Sequence, residues 1–182
     1  MDIENGWLSE VDRMLSPNCD ERPDAEDISL IVIHGISLPP GEFGGGWIDR
    51  LFTNTLPAEA HPCFAQLQGL QVSAHVLIRR DGQMVQYVPF HRRAWHAGVS
   101  SFSGRERCND YSIGIELEGT DATPYDTPQY EALAQLIRLL RRHYPRLSAE
   151  AIAGHSDIAP GRKTDPGPSF QWSRLRTLLV AP

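Results

Sequence analysis

The stretch Ser29-Leu30-Ile31-Val32-Ile33-His34 decides the fold. Four apolar residues run without a break, three of them β-branched, too short a run for a helix and too apolar for a surface strand. Such a run reads as a strand buried on both faces, the kind found in the middle of a parallel sheet. His34 stands at its C-terminal end, where side chains emerge at a sheet edge and ligands commonly bind.

Working outward, Ser112 to Glu118 alternates. Ile113, Ile115 and Leu117 share one face, and Gly114, Glu116 and Glu118 the other. Val72, Ala74, Val76 and Ile78 alternate with Ser73, His75, Leu77 and Arg79, Asp81-Gly82 is a turn signal, and Met84 to Val88 return as a hairpin. Ala151 to Ala153 reads as a strand end leading into Gly154-His155. The clearest helix runs from Pro128 to about Tyr144, with Thr127 as its cap and Leu133, Leu136, Ile137 and Leu140 as its apolar stripe. A last helix is expected from about Phe170 to Leu179, and a weak helical pattern covers Trp7 to Leu15. The expected architecture is α/β, a single domain with a mixed central β-sheet flanked by helices.

The chain has 182 residues, 41% of them hydrophobic and 22% charged. One core of this size buries about 70% of the unfolded surface, so no metal or disulfide is needed merely to fold it. The reading is therefore one domain over 1–182, with its core over about 25–180. Seventeen basic against 23 acidic residues leave a net charge of −6, which disfavours nucleic acid and anionic lipid as partners. No apolar run reaches membrane-spanning length. Cys19, Cys63 and Cys108 are an odd set without a C-x-x-C, so neither a disulfide framework nor a cysteine zinc knuckle is written here. With an acidic N-terminus and no apolar signal stretch, a cytoplasmic address is expected.

Seven histidines are present. A histidine taken at random is a packed or surface side chain, but His34 ends a buried strand and His155 opens a long loop closing in Lys163-Thr164-Asp165-Pro166-Gly167-Pro168. A catalytic zinc takes three protein ligands and keeps one position open. His34, His155 and Asp165 would supply two nitrogens and an oxygen, with His75, His96 and Asp157 as rivals. Glu116 is a general base if its strand face lines a cleft, and otherwise a solvated charge. Lys163 is an oxyanion partner or an exposed loop lysine. Trp95-His96 beside Gly98 is a stacking wall or plain packing. Cys108, behind Arg105-Glu106-Arg107, is a weaker nucleophile candidate. The glycines of Leu38 to Trp47 would let that segment close over a metal groove.

Several runs in register carry a resemblance. They are Ile36-Ser37-Leu38-Pro39-Pro40-Gly41-Glu42-Phe43-Gly44, Val72-Ser73-Ala74-His75, Arg93 to Ser100, Ser112 to Asp121, Gly154-His155, Asp157 to Pro160, and Arg162 to Phe170. With these the chain resembles the type 2 zinc-dependent N-acetylmuramoyl-L-alanine amidases, and among them the cytoplasmic enzymes acting on 1,6-anhydro-muropeptides. That family shares its fold with a phage lysozyme and the peptidoglycan recognition proteins. The resemblance implies zinc in a surface groove, held by His34, His155 and Asp165, with Glu116 and Lys163 as catalytic residues. Gly35, Trp95 and Arg107 fall where the family contacts substrate. It further implies a small anhydro-muropeptide substrate, a role in peptidoglycan recycling and an indirect effect on β-lactamase induction; the oligomeric state is not written in the sequence, and a monomer is expected. Three positions depart from the pattern: Gly35 stands for the family's usual asparagine, Ser156 for cysteine and Gln71 for arginine. None is a proposed ligand.

Overall fold

The computed structural model describes residues 1–180. Its central sheet has six strands: β1 (Asp12–Arg13), β2 (Leu30–Ile36), β3 (Val76–Ile78), β4 (Met84–Gln86), β5 (Ser112–Glu118) and β6 (Ile152–Gly154). They lie in the order β6-β2-β5-β3-β4-β1. All neighbours are parallel except the hairpin β3-β4, so the sheet is mixed. The hairpin turns at Asp81-Gly82 as expected, with Gly82 at φ 87°. Its first strand is shorter than the alternation predicts, because Val72 to Ala74 lie outside the ladder.

The helices are α1 (Trp47–Phe52), α2 (Thr127–His143), α3 (His155–Ile158) and α4 (Trp172–Val180). Helix α2 is the predicted one, shifted at its start. The cap is Asp126 rather than Thr127, because Gln129 turns back to accept the Asp126 N–H at 3.0 Å while its own amide donates into the sheet. The stripe Leu133, Leu136, Ile137 and Leu140 is fully buried, each residue contributing about 1.5–3 kcal/mol of transfer free energy. It packs on the sheet face made by Ile31, Ile33, Ile113, Ile115 and Leu117. The opposite face carries Leu30 and Val32 near the site, and Leu77, Val85 and Tyr87 beneath α1.

The weak helix over Trp7 to Leu15 does not form. That segment makes a two-stranded ladder, Ile3–Glu4 with Trp7–Leu8, and then strand β1. The Leu8 N–H is taken by Gln86 Oε1 at 2.7 Å, and Ile3 and Leu8 are buried in the main core. The packed unit therefore begins well ahead of residue 25. No helix among the described residues is long and apolar enough to cross a membrane.

Candidate active site

Strand β2 runs on to Ile36, so His34 lies within it rather than at its end. The parallel register puts Glu116 of β5 opposite His34, and Gly154 of β6 opposite Ile33. Three neighbouring strands thus deliver Glu116, His34 and His155 at one level on one face. That level lies toward the C-terminal ends of the strands, where open α/β sheets bind their ligands. Gly114, on the same face, is bare for a reason: a Cβ there would lie 2.4 Å from the His96 ring. His96 can therefore pack flat on β5 behind His34.

Asp165 arrives on the loop after α3, which is anchored to it by the Ser156 N–H donating to the Asp165 carbonyl at 2.9 Å. His34 Nδ1 and His155 Nδ1 are 2.9 Å apart, and Asp165 Oδ2 lies 3.2 Å from the first and 3.1 Å from the second. This trio could hold a metal ion, all its donor atoms lying within 4.8 Å of one another. The other nitrogens are tied back: His155 Nε2 meets the Ala97 carbonyl at 3.2 Å, and His34 Nε2 meets His96 Nδ1 at 2.9 Å. His96 Nε2 in turn meets Ser112 Oγ at 3.1 Å. Such backing partners fix ring tautomer and orientation.

Burial sets the charges here. It lowers His34 to about 4, so the imidazole is neutral at physiological pH. It would raise the Asp165 carboxyl, but the facing His155 and His34 rings outweigh it and hold Asp165 well below the usual carboxylate range. Glu116 goes the other way. Burial, aided by the Asp165 charge and opposed by Lys163, pushes it well above its ordinary value. Its Oε2 is buried and has no hydrogen-bond partner among the described residues, a costly state for a carboxylate unless something else engages it.

A cleft of about 430 Å³ opens over this group, lined by His34, Gly35, Trp95, Glu116, His155, Lys163 and Asp165 among others. Arg107 is not in its wall. It sits in an adjoining hollow that meets the cleft at Gly98 and Arg162, and pairs with Asp110 at 3.0 Å. The rival ligands are placed otherwise. Asp157 Oδ2 accepts the Gly154 N–H at 2.7 Å, and His75 is engaged with backbone on both nitrogens. Cys108 is buried beside Tyr111, away from the cleft. The cleft walls also come from segments other than Leu38 to Trp47. Within that loop, Gly44 donates its N–H to Glu118 and the Arg80 guanidinium lies over Phe43 at 4.7 Å. Sequence reading missed Arg162, whose guanidinium donates to the Ala97 and Val99 carbonyls at 2.6 Å each and so holds one cleft wall. Its place in a Gly-Arg-Lys turn is the one local signal it offers.

Residues 24–168 match the N-acetylmuramoyl-L-alanine amidase family, and the chain belongs to it. It is thus a hydrolase of the amidase class. Among its relatives, the 1,6-anhydro-N-acetylmuramyl-L-alanine amidase AmpD of Citrobacter freundii is 61% identical over 98% of this chain and 95% of its own length. A crystal structure of a selenomethionine AmpD derivative superposes with a TM-score of 0.96 at 60% identity, covering 99% of this chain and all of that one. The Escherichia coli amidase AmiD, solved with anhydro-N-acetylmuramic acid-L-Ala-D-γ-Glu-L-Lys, matches at TM-score 0.63 and 29% identity over 87% of this chain and 60% of that one.

Proposed function

We propose that this chain is a zinc-dependent amidase that cuts the bond between the lactyl group of 1,6-anhydro-N-acetylmuramic acid and the L-alanine of the stem peptide. The observation that carries the reading is the unpartnered, buried Oε2 of Glu116 beside three converging donors. Two imidazoles and one carboxylate are the donor set of a catalytic zinc site with an open position. Bonds of about 2.0–2.2 Å on a tetrahedron set ligand atoms roughly 3.3–3.5 Å apart. The edges here, 2.9 to 3.2 Å, are close to that. The relatives' substrates support the rest of the reading.

His34, His155 and Asp165 would hold the zinc, which would supply Lewis acidity and a water of lowered pKa. Glu116 takes the proton of the attacking water and hands it to the departing L-alanine nitrogen, work its raised pKa suits at neutral pH. Lys163 reaches into the same cleft and stabilises the carbonyl oxygen as it gains negative charge. Trp95 offers a flat wall, and the Gly35 backbone lines the cleft next to His34. Arg107, one hollow away, meets the carboxylates of the stem peptide. The chain acts as a monomer in the cytoplasm, in peptidoglycan recycling, and its loss raises β-lactamase expression indirectly.

The test is peptide release from 1,6-anhydro-N-acetylmuramyl-tripeptide by protein as purified, after chelation, and after zinc is restored. Activity lost and regained supports the reading; no release from zinc-loaded protein overturns it in favour of muropeptide binding alone. His34→Ala and Asp165→Ala should each lose the bound zinc, and retention of a full equivalent would mean a different ligand set. Lys163→Ala should lower kcat by roughly 10²-fold with zinc content unchanged.

A further inference from the structure

Of the three segments that bring the candidate ligands together, two are β2 with His34 and the loop with Asp165. One side chain touches both. The Tyr125 hydroxyl donates to the Pro166 carbonyl at 3.0 Å and is buried. It occupies the space where a side chain at position 35 would stand, since a Cβ on Gly35 would lie 2.2 Å from that hydroxyl. The ring is seated the same way: a Cβ on Gly119 would meet its Cε1 at 2.3 Å, and Phe170 packs against it edge-on at 5.5 Å between centroids. Gly35 and Gly119 are thus clearances for one tyrosine. That tyrosine is fastened to the residue after Asp165, while its hydroxyl fills the place beside the residue after His34.

We propose that Tyr125 is a positioning residue for the metal centre: its hydroxyl, admitted by Gly35, holds the Asp165-Pro166 turn so that the Asp165 carboxylate meets His34 and His155. The inference rests on the ligand set proposed above. It also assigns Gly35 a role that does not involve substrate.

The geometry makes a sharp demand. Apart from the hydroxyl, the atoms nearest a Cβ at position 35 are Pro166 Cα and Tyr125 Cζ, both at 3.5 Å, which is ordinary contact. An alanine at position 35 therefore clashes with the hydroxyl alone. Tyr125→Phe removes the hydrogen bond, Gly35→Ala displaces the group that makes it, and the double variant should behave like Tyr125→Phe.

The experiment measures zinc affinity by chelator competition, the visible spectrum of the cobalt-substituted protein, and the melting temperature of metal-free protein. It compares wild type, Tyr125→Phe, Gly35→Ala and the double variant. Each single change should weaken zinc binding about tenfold, as loss of a supporting contact to a metal ligand typically does. Each should also shift the cobalt spectrum, and adding Gly35→Ala to Tyr125→Phe should weaken binding no further. The proposal is overturned if Tyr125→Phe binds zinc as wild type does, if the two changes multiply, or if the metal-free melting temperature falls while affinity and spectrum stay put. Should Gly35→Ala not fold, Tyr125→Phe alone decides. Wild-type protein that binds no zinc would instead sink the ligand set, so the two failures are distinguishable.

Discussion

Glu116 and Glu118 stand two residues apart on β5, on the same face, and they lead opposite lives. Glu118 is buried and satisfied: Oε1 accepts the Gly44 N–H, and Oε2 accepts the Arg80 N–H at 3.3 Å. It ties the glycine-rich loop and the β3-β4 hairpin to the central strand. Glu116 Oε2 is buried with no hydrogen-bond partner among the described residues. The two buried histidine sets repeat the contrast. His75 spends both nitrogens on backbone, accepting the Gly114 N–H at Nδ1 and meeting the Arg92 carbonyl at Nε2, each at 3.0 Å. His34 and His155 turn a nitrogen apiece toward each other and toward Asp165. Residue type is alike in the members of each pair, and the histidines are all buried. What separates architecture from chemistry is whether the polar atom's partner is another part of the fold.

The largest test of that contrast is Glu116→Gln. No hydrogen bond to Oε2 is lost, so unfolding free energy in urea should hold or rise slightly while kcat falls about 10²–10⁴-fold, the usual worth of a positioned acid–base group. Zinc content should not change. Near-normal turnover would remove Glu116 from the mechanism and leave its empty oxygen unexplained. Glu118→Ala should show the reverse. It strands two backbone N–H groups and should cost about 2–3 kcal/mol of stability, with kcat per folded molecule far less affected. A Glu118→Ala protein as stable as wild type would mean that the loop and hairpin stay in place without it.

How much of this was legible beforehand divides along the same line. Strands β2 and β5 were readable because an unbroken apolar run and a strict alternation are local signals. His34, His155 and Asp165 stood out as candidates, but the ranking over His75, His96 and Asp157 leaned on family resemblance. Nothing local tells His34 from His75, because the deciding partners are a carboxylate 131 positions downstream and a β5 amide 39 positions away. The failed N-terminal helix has the same origin. Trp7, Leu8 and Val11 fit a helical period, yet the Leu8 N–H is claimed by a glutamine 78 residues on. Arg107 falls in a segment that contributes to the family's substrate groove, and with a left-handed backbone, φ 60°, and a pair with Asp110 it lines the hollow next to the cleft.

The smallest effect is the one that isolates His75, and it is read in metal-free protein as a pH slope. Burial, reinforced by the Arg22 guanidinium 3.1 Å from Nε2, lowers His75 to about 3. Arg22 is itself fixed in place, donating to the Phe90, Asn109, Asp110 and Ser112 carbonyls. Unfolded, a histidine titrates near 6.5. Between those values the unfolded chain binds a proton that the folded one refuses, so acid favours unfolding. The contribution of neutral His75 is fully present above about pH 6.5 and drains away as pH falls toward 3. At pH 5 the loss from this residue is roughly 2 kcal/mol, at 1.36 kcal/mol per pH unit. His75→Gln should cost about 1–3 kcal/mol at pH 7 through its weakened backbone contacts, but lose less than wild type on going to pH 5. Urea unfolding of both proteins at the two pH values measures this difference. Parallel losses would show that the acid sensitivity resides in other groups, and the division between a histidine spent on the fold and histidines held for a ligand would lose its clearest physical signature.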